Sequence, residues 1–469
     1  MKKNNVFKVI ALMLILVMGI SVLTGCNKAT DKDEQGRTVI SVSNWPASEG
    51  TSMDIMTARK ANFEAANPDV FVEPSTWTLD RKTFYAKAAG GQLPTLYLAG
   101  FTEVPEIINS ELSADLTDVL KERGYDGMFN EAILKAVSDE KGNVKSFPNT
   151  CYLLGLAYNV DLFEKAGLMN ADGTPKQPKD WNELVDFAKI IKEKTGKAGL
   201  VFPTANNVGG WIFSSVAWSF GVDFMEKDNN GKWQATFNTP EAAEALQWVK
   251  DLKWKHDVLP ANTLVDMTEQ FKTFGTGGAA MVIAAGDFPS RVVQYGMKPE
   301  HVGAMAIPAG PKAHVALLGG GSWNVAENAT KDQIDAAVRW LEITRSFKLT
   351  EDFKKSTIDR MKVELESNQL VGIKGMSIWS KNSEALKWEH EQIDKMANAN
   401  INHVKLYNDF VADCPVEIRA EEPVCCQELY AILDSCLQAV LADENADCAK
   451  ILENANADFQ TNYLNNLAY

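Results

Sequence analysis

The sequence predicts an α/β fold divided between two lobes. Three observations carry this. A leader occupies residues 1–25 and leaves 444 residues of mature chain, more than one hydrophobic core accommodates. Short apolar strands and amphipathic helices alternate in the order βαβαβ from Thr38 to Ala99, which argues for a mostly parallel sheet covered by helices. The same alternation returns in the middle of the chain, and from about residue 350 the pattern is almost entirely helical.

The leader has the order of a secretory signal. Lys2, Lys3 and Lys8 form a basic segment, Val9 to Val22 is apolar, and Leu23-Thr24-Gly25-Cys26 closes it. That order is a targeting signal rather than part of the fold. Its ending looks like the bacterial lipobox, which implies that Cys26 becomes the first mature residue and carries a lipid. The stretch Val9 to Gly25 spans 17 residues, at the short limit for an uncleaved membrane span. Residues 26–36 are polar and aperiodic and read as a flexible, lipid-anchored tether.

Beyond the tether, Thr38 to Asn44 reads as a strand. Residues 52–66 read as a helix stopped by Asn67-Pro68. Val70 to Val72 is a second strand, residues 81–89 a helix ending at Gly90-Gly91, and Thr95 to Ala99 a third strand. Leu153 to Tyr158 is an apolar strand. Asp180 opens a helix that runs to about Lys194, with Glu183 three residues on, in the manner of a capping box. Gly199 to Phe202 is a strand, and Phe224 to Thr236 a hairpin turning at Asn230-Gly231. Thr239-Pro240 starts a helix, with a capping hydroxyl followed by proline at the first helical position. Ala279 to Ala285 is a buried strand, and Thr330 with Gln333 caps a further helix.

Charge and cysteine usage narrow the function classes. The chain has 47 Lys+Arg and 62 Asp+Glu; without the three leader lysines the balance is 44 against 62, or −18. Such a surface repels nucleic acid and anionic lipid, so the membrane is expected to be met through the Cys26 lipid alone. No second apolar stretch is long enough to span a bilayer. Cys151 stands alone, while Cys414, Cys425, Cys426, Cys436 and Cys448 cluster late in the chain. Buried thiols and at least one disulfide are both open for that cluster. No Cys or His spacing suits a metal, so no metal and no cofactor is expected.

A set of short motifs then carries a family resemblance. These are Ala66-Asn67-Pro68-Asp69-Val70, Gly90-Gly91-Gln92-Leu93-Pro94-Thr95, and the run Leu156 to Leu168 followed by Pro178 and Trp181. Gly278-Ala279-Ala280-Met281, Ile307-Pro308-Ala309-Gly310-Pro311 and Gly319-Gly320-Gly321-Ser322-Trp323 complete the set. In this order and with the lipobox, the chain resembles the extracellular solute-binding proteins, family 1, of bacterial ABC importers. The commoner family form has Asp where this chain has Thr95. The resemblance implies a two-lobed periplasmic-binding-protein-like fold with hinge strands and a helical C-terminal region. It places residues 37–149 plus about 312–368 in one lobe and 150–311 plus about 369–469 in the other. The chain would cross between lobes near Asn149 to Leu154 and near Ile307 to Pro311. It further implies a monomeric receptor, held on the outer face of the cell membrane, that delivers a carbohydrate (an oligosaccharide) to a permease served by a separate ATPase.

The expected cleft chemistry rests on aromatics at strand ends, since ligands of open α/β sheets lie beyond the carboxyl ends of the strands. Trp45 ends the first strand, Trp77 follows the second, and Phe101 and Thr102 follow the third. Trp211 lies beside Asn206-Asn207, Phe288 follows Gly286-Asp287, and Trp323 follows three glycines. Aromatic faces suit the C–H face of a sugar ring, and Glu49, Thr102, Asn206, Asn207 and Asp287 are the polar partners available for hydroxyls. Trp181, Trp248 and Trp340 lie on helices among apolar neighbours and are expected in the core. Enzyme signals are poor. Gly275 to Ala280 matches a dinucleotide pattern only nominally, because it follows a helix and precedes a strand. A surface glycoside hydrolase remains the rival class and needs two carboxyl groups flanking one bond, with Glu49 and Asp287 as the available pair. A carbohydrate-binding adhesin is the third.

Overall fold

The computed structural model describes residues 31–467 with the exception of 287. The leader and Cys26 therefore lie outside the described residues. The strands are β1 (Thr38–Val42), β2 (Val70–Pro74), β3 (Leu96–Gly100), β4 (Phe147–Asn159), β5 (Ala198–Val201), β6 (Met225–Lys227), β7 (Trp233–Ala235), β8 (Ala279–Ala285), β9 (Val302–Ala306), β10 (Val315–Val325) and β11 (Glu417–Ala420). One sheet has the order β2-β1-β3-β10-β4-β8-β5, with β11 added to β10 and β9 to β4. β6 and β7 form a separate hairpin.

The N-terminal βαβαβ unit forms as its periodicity requires. β1 is buried along its length and pairs parallel with β2, with Ile40 opposite Val72. The connecting helices are Thr51–Ala66 and Arg81–Ala89, the second opened by the Asp80 carboxylate, which accepts from the Lys82 amide. The expectation of a mostly parallel sheet holds only away from the centre. β10 runs antiparallel to both β3 and β4, and β4 runs antiparallel to β8 and β9.

Those two central strands make the fold two-lobed. β4 pairs with β10 along Phe147–Leu153 and with β8 along Leu154–Tyr158. β10 pairs with β11 along Val315–Leu318 and with β3 along Gly321–Val325. Each strand thus changes partners midway and carries the chain from one lobe to the other. In β4 the change of partner falls between Leu153 and Leu154. Within Ile307 to Pro311, Ala309 bridges to Asp180 and Gly310 lies against Ser219, both beside the lobe of β8. The crossing is in β10, at Gly319–Gly321, and residues 312–318 pack with that second lobe. Glycine is required there because β10 and β4 approach closely. A Cβ on Gly319 would sit 2.3 Å from the Tyr152 ring, and one on Gly320 would sit 2.2 Å from the Thr150 carbonyl oxygen.

Local capping rules account for most helix starts. Asp180 accepts from the Asn182 and Glu183 amides, and Thr239 accepts from Ala242. Thr330 and Gln333 make a reciprocal capping box. Glu183, by contrast, reaches back to the Lys179 amide rather than to its cap residue. In the β6–β7 hairpin only Gly231 takes a positive φ, of 77°, and Asp228 organises the turn by accepting from Asn230 and Lys232. The C-terminal region is helical as expected, but it contains β11. The polar sequence Glu-Ile-Arg-Ala hides that strand, which forms only because β10 offers it an edge.

The described part of the expected tether is folded. The Asp33 carboxylate accepts from the Gln35 and Arg37 amides, closing a turn, and the Val39 amide donates to the Asp31 carbonyl. Cys151, Cys414, Cys425, Cys426, Cys436 and Cys448 are all free thiols. Burial pushes Cys436 up to about 12, so it stays protonated and packs as a small apolar residue.

Gly320 has φ 150°, which disfavours any side chain. Gly320→Ala is expected to cost at least about 1–3 kcal/mol, combining strain with displacement of β4. Urea denaturation of wild type and variant checks this; an unchanged midpoint would show that the crossing tolerates a Cβ.

Candidate functional site

A cleft of about 860 Å³ lies where the two lobes meet. Its floor is the crossing itself, Asn149–Tyr152 of β4 with Gly320 and Gly321 of β10. One wall follows the carboxyl ends of β1 and β3, with Asn44, Leu98–Gly100 and Glu103. The opposite wall holds Gly286, just beyond β8, and the segment Leu370–Ile373. Arg360, Met361 and Glu364 of the helix Glu351–Glu366 close one side. This is the position at which open α/β sheets bind ligands, because the strand ends leave a crevice there.

Hydrogen bonds fix the rim. Arg345 is half-buried and donates from Nε to the Asn149 carbonyl at 2.8 Å, holding the hinge strand from behind. Arg81 pairs with Glu428 at 3.1 Å and lies 3.7 Å from Glu106. Arg360 pairs with Glu364 and with Glu389. Burial raises the Glu103 carboxyl, and the nearby Arg81 charge opposes that rise. Behind the cleft, Glu421 is buried and accepts from Thr102 Oγ1 at 2.5 Å and Tyr430 Oη at 3.2 Å. Burial pushes its carboxyl up to about 7, against hydrogen bonds that hold it down. Among the described residues, no group of three or more His, Cys, Asp or Glu could hold a metal ion.

None of the described aromatic and polar residues singled out by sequence lines the main cleft, although several are neighbours of residues that do. Trp45 is buried and stacks on Trp340 at 6.3 Å, because the backbone turn at Asn44 sends its ring into the core and leaves Asn44 at the cleft. Phe101 is likewise buried in the core, while Gly100 and Glu103 reach the cleft. Trp77 is half-buried, edge-on to Tyr97 at 6.3 Å. Thr102 is engaged by Glu421. Trp323 is half-buried against the core that contains Trp340. Glu49 is exposed on the loop after β1. Asn206 and Asn207 both take positive φ and serve the loop: Asn206 donates to Asp266, and Asn207 donates to Gln427. Asp287 lies outside the described residues.

Two of the aromatics do meet. Trp211 and Phe288 line a second, smaller pocket of about 130 Å³ together with Tyr152 and Phe271. It adjoins the main cleft, sharing Tyr152 and Arg291 with it. Phe288 is buried, with its ring 4.6 Å from Phe271 and 5.4 Å from Phe274, so it is both core and pocket wall. Tyr152, Phe271 and Gln270 were not singled out from sequence. The available signal was the spacing Met267, Gln270, Phe271, which puts these residues on one helix face.

The model of the family "Bacterial extracellular solute-binding protein" matches residues 47–343. A protein of Brucella abortus (strain 2308), named as a binding protein, is 25% identical over 300 residues, covering 63% of this chain and 68% of its own. The maltose-bound MalE3 of T. maritima superposes with a TM-score of 0.61 at 21% identity, covering 90% of this chain and 99% of its own. UgpB of Mycobacterium tuberculosis, in complex with glycerophosphocholine, superposes with a TM-score of 0.63 at 16% identity, covering 91% and 98%.

The Glu421 carboxyl gives a pH test. An unfolded carboxyl titrates near 4.5, the folded one near 7. Between those values the folded state holds one more proton, so stability falls as pH rises through that window. Glu421→Gln removes this dependence while keeping a hydrogen-bonding group. The stability of the variant relative to wild type should therefore increase from pH 5 to pH 8. Denaturation at both pH values checks the sign; a constant difference would mean that Glu421 ionises normally.

Proposed function

The chain belongs to the bacterial extracellular solute-binding protein family, and from that premise we propose that it is a receptor that binds a carbohydrate in the interlobe cleft. The observation that carries this reading is the cleft of about 860 Å³ at the carboxyl ends of β1, β3 and β8. Its size suits an oligosaccharide, since pockets for small ligands run from about 300 to 1,000 Å³. A solute there meets both lobes and the crossing strands at once, and its differential affinity favours closure about β4 and β10. The receptor is held outside the cell membrane through a lipid on Cys26 and works as a monomer. It hands its cargo to an ABC permease driven by a separate ATPase, because the chain has no nucleotide-binding loop. The ligands named for MalE3 and for the mycobacterial UgpB, maltose and glycerophosphocholine, define the chemical range to be tested.

A thermal-shift panel of mono- and oligosaccharides is the deciding experiment. A sugar at 100 times its Kd adds about 2.7 kcal/mol of apparent stability. At saturation the radius of gyration should fall and the sugar should be recovered intact. An unchanged radius would remove hinge closure, and cleaved sugar would transfer the case to a hydrolase. In a native-like host, Cys26→Ser should release the protein from the membrane with sugar binding retained. Retention on the membrane after leader cleavage would remove the lipid anchor.

A further inference from the structure

The small pocket beside the main cleft contains one polar side chain whose chemistry the fold does not use. Gln270 lies on the helix Met267–Gly275 and is 1% exposed. It lines the pocket with Trp211, Tyr152, Phe271 and Phe288. Its Oε1 is buried without a hydrogen-bond partner. A buried acceptor left unpaired is costly, and an apolar residue of similar shape would remove that cost. The neighbours on the same helix face, Met267 and Phe271, are of that apolar kind.

We propose that Gln270 is the specificity-determining residue of a terminal subsite, and that it accepts a hydrogen bond from a hydroxyl of one uncharged sugar ring. This rests on the carbohydrate-receptor reading of the cleft and goes beyond it by fixing where one ring sits and what it must carry. The pocket volume, about 130 Å³, is comparable with the ~150 Å³ cavity that holds a benzene molecule, so it takes one ring rather than a chain. Trp211 stands edge-on to Tyr152 at 6.2 Å, and Phe288 lies 4.6 Å from Phe271. These aromatics offer apolar surface to the C–H bonds of a ring. The amide then reads the hydroxyl. A hydroxyl can donate to Oε1. A phosphate-ester oxygen cannot, because it carries no proton at neutral pH and would face the acceptor with like partial charge. At the Gln270 oxygen itself the subsite therefore selects a hydroxyl over a phosphate-ester oxygen.

The test uses the full mature chain and its Gln270→Met variant, which keeps the length of the side chain and removes the amide. Calorimetry is run with maltose, maltotriose, lactose, trehalose, raffinose, xylobiose and ribitol, and with sn-glycerol-3-phosphate and glycerophosphocholine. The expected result has three parts. At least one neutral sugar binds wild type. Gln270→Met weakens that sugar by about tenfold or more. The ligand-free melting temperature of the variant stays level or rises, since an orphaned group has been removed. A fall of more than about 5 °C would instead make the amide structural and overturn the proposal. Unchanged sugar affinity in the variant overturns this assignment alone and leaves the receptor reading standing. Binding of a phosphate ester with no neutral sugar bound, or of no sugar at all, overturns both.

Discussion

The close approach of β4 and β10 is the constraint on which the rest of the molecule depends. Both strands change partners at the same level of the sheet, and the glycines of β10 let the two backbones meet without side chains between them. The interlobe cleft is arranged about that line. The floor of the cleft is the crossing itself, and its walls are strand ends from either side. Arg345 ties the Asn149 carbonyl to the first lobe, so the hinge strand is braced as well as paired. In the proposed receptor, a bend at this point would let the lobes move without unpairing either sheet half.

What was legible in the sequence was local. Thr239, Thr330 and Asp180 open helices through hydrogen bonds to amides two or three residues away, and such bonds depend on little else. The strand at Ala279–Ala285 declared itself by unbroken apolarity. The partners of a strand were less legible. β11 has no apolar run of its own and exists because β10 exposes an edge, which only the assembled sheet reveals. The second crossing was expected where prolines punctuate the chain, but it lies where glycines permit close approach.

The lining of the cleft was readable to within one or two positions and no better. Trp45, Phe101 and Trp77 each lie one residue from the cleft lining, yet their rings turn towards the core and leave Asn44, Gly100 and Thr78 at the cleft. Aromatic residues bury large area wherever they can, so their presence near a strand end says less than the direction of the backbone there. That direction is set by turns such as Asn44 at φ 59°, which the sequence does not announce. Trp211 and Phe288 were recognisable as cleft candidates, but their meeting with Tyr152 and Gln270 joins four separate elements.

The contacts between Thr102 and Glu421 and between Arg81 and Glu428 join the βαβαβ unit to the segment after β11 and to the helix Cys426–Ala442. They involve no solute. For the receptor proposed above, such cross-links would lower the free-energy difference between an open and a closed shape. A cargo then needs less of its own binding energy to bring the halves together, and it is held more tightly for the same set of contacts. The corresponding loss is in contrast. A receptor whose halves already attract one another differs less between its loaded and unloaded shapes. A membrane partner that distinguishes those shapes by outline alone would be less able to turn away unloaded copies, so discrimination would have to come from its handling of the cargo.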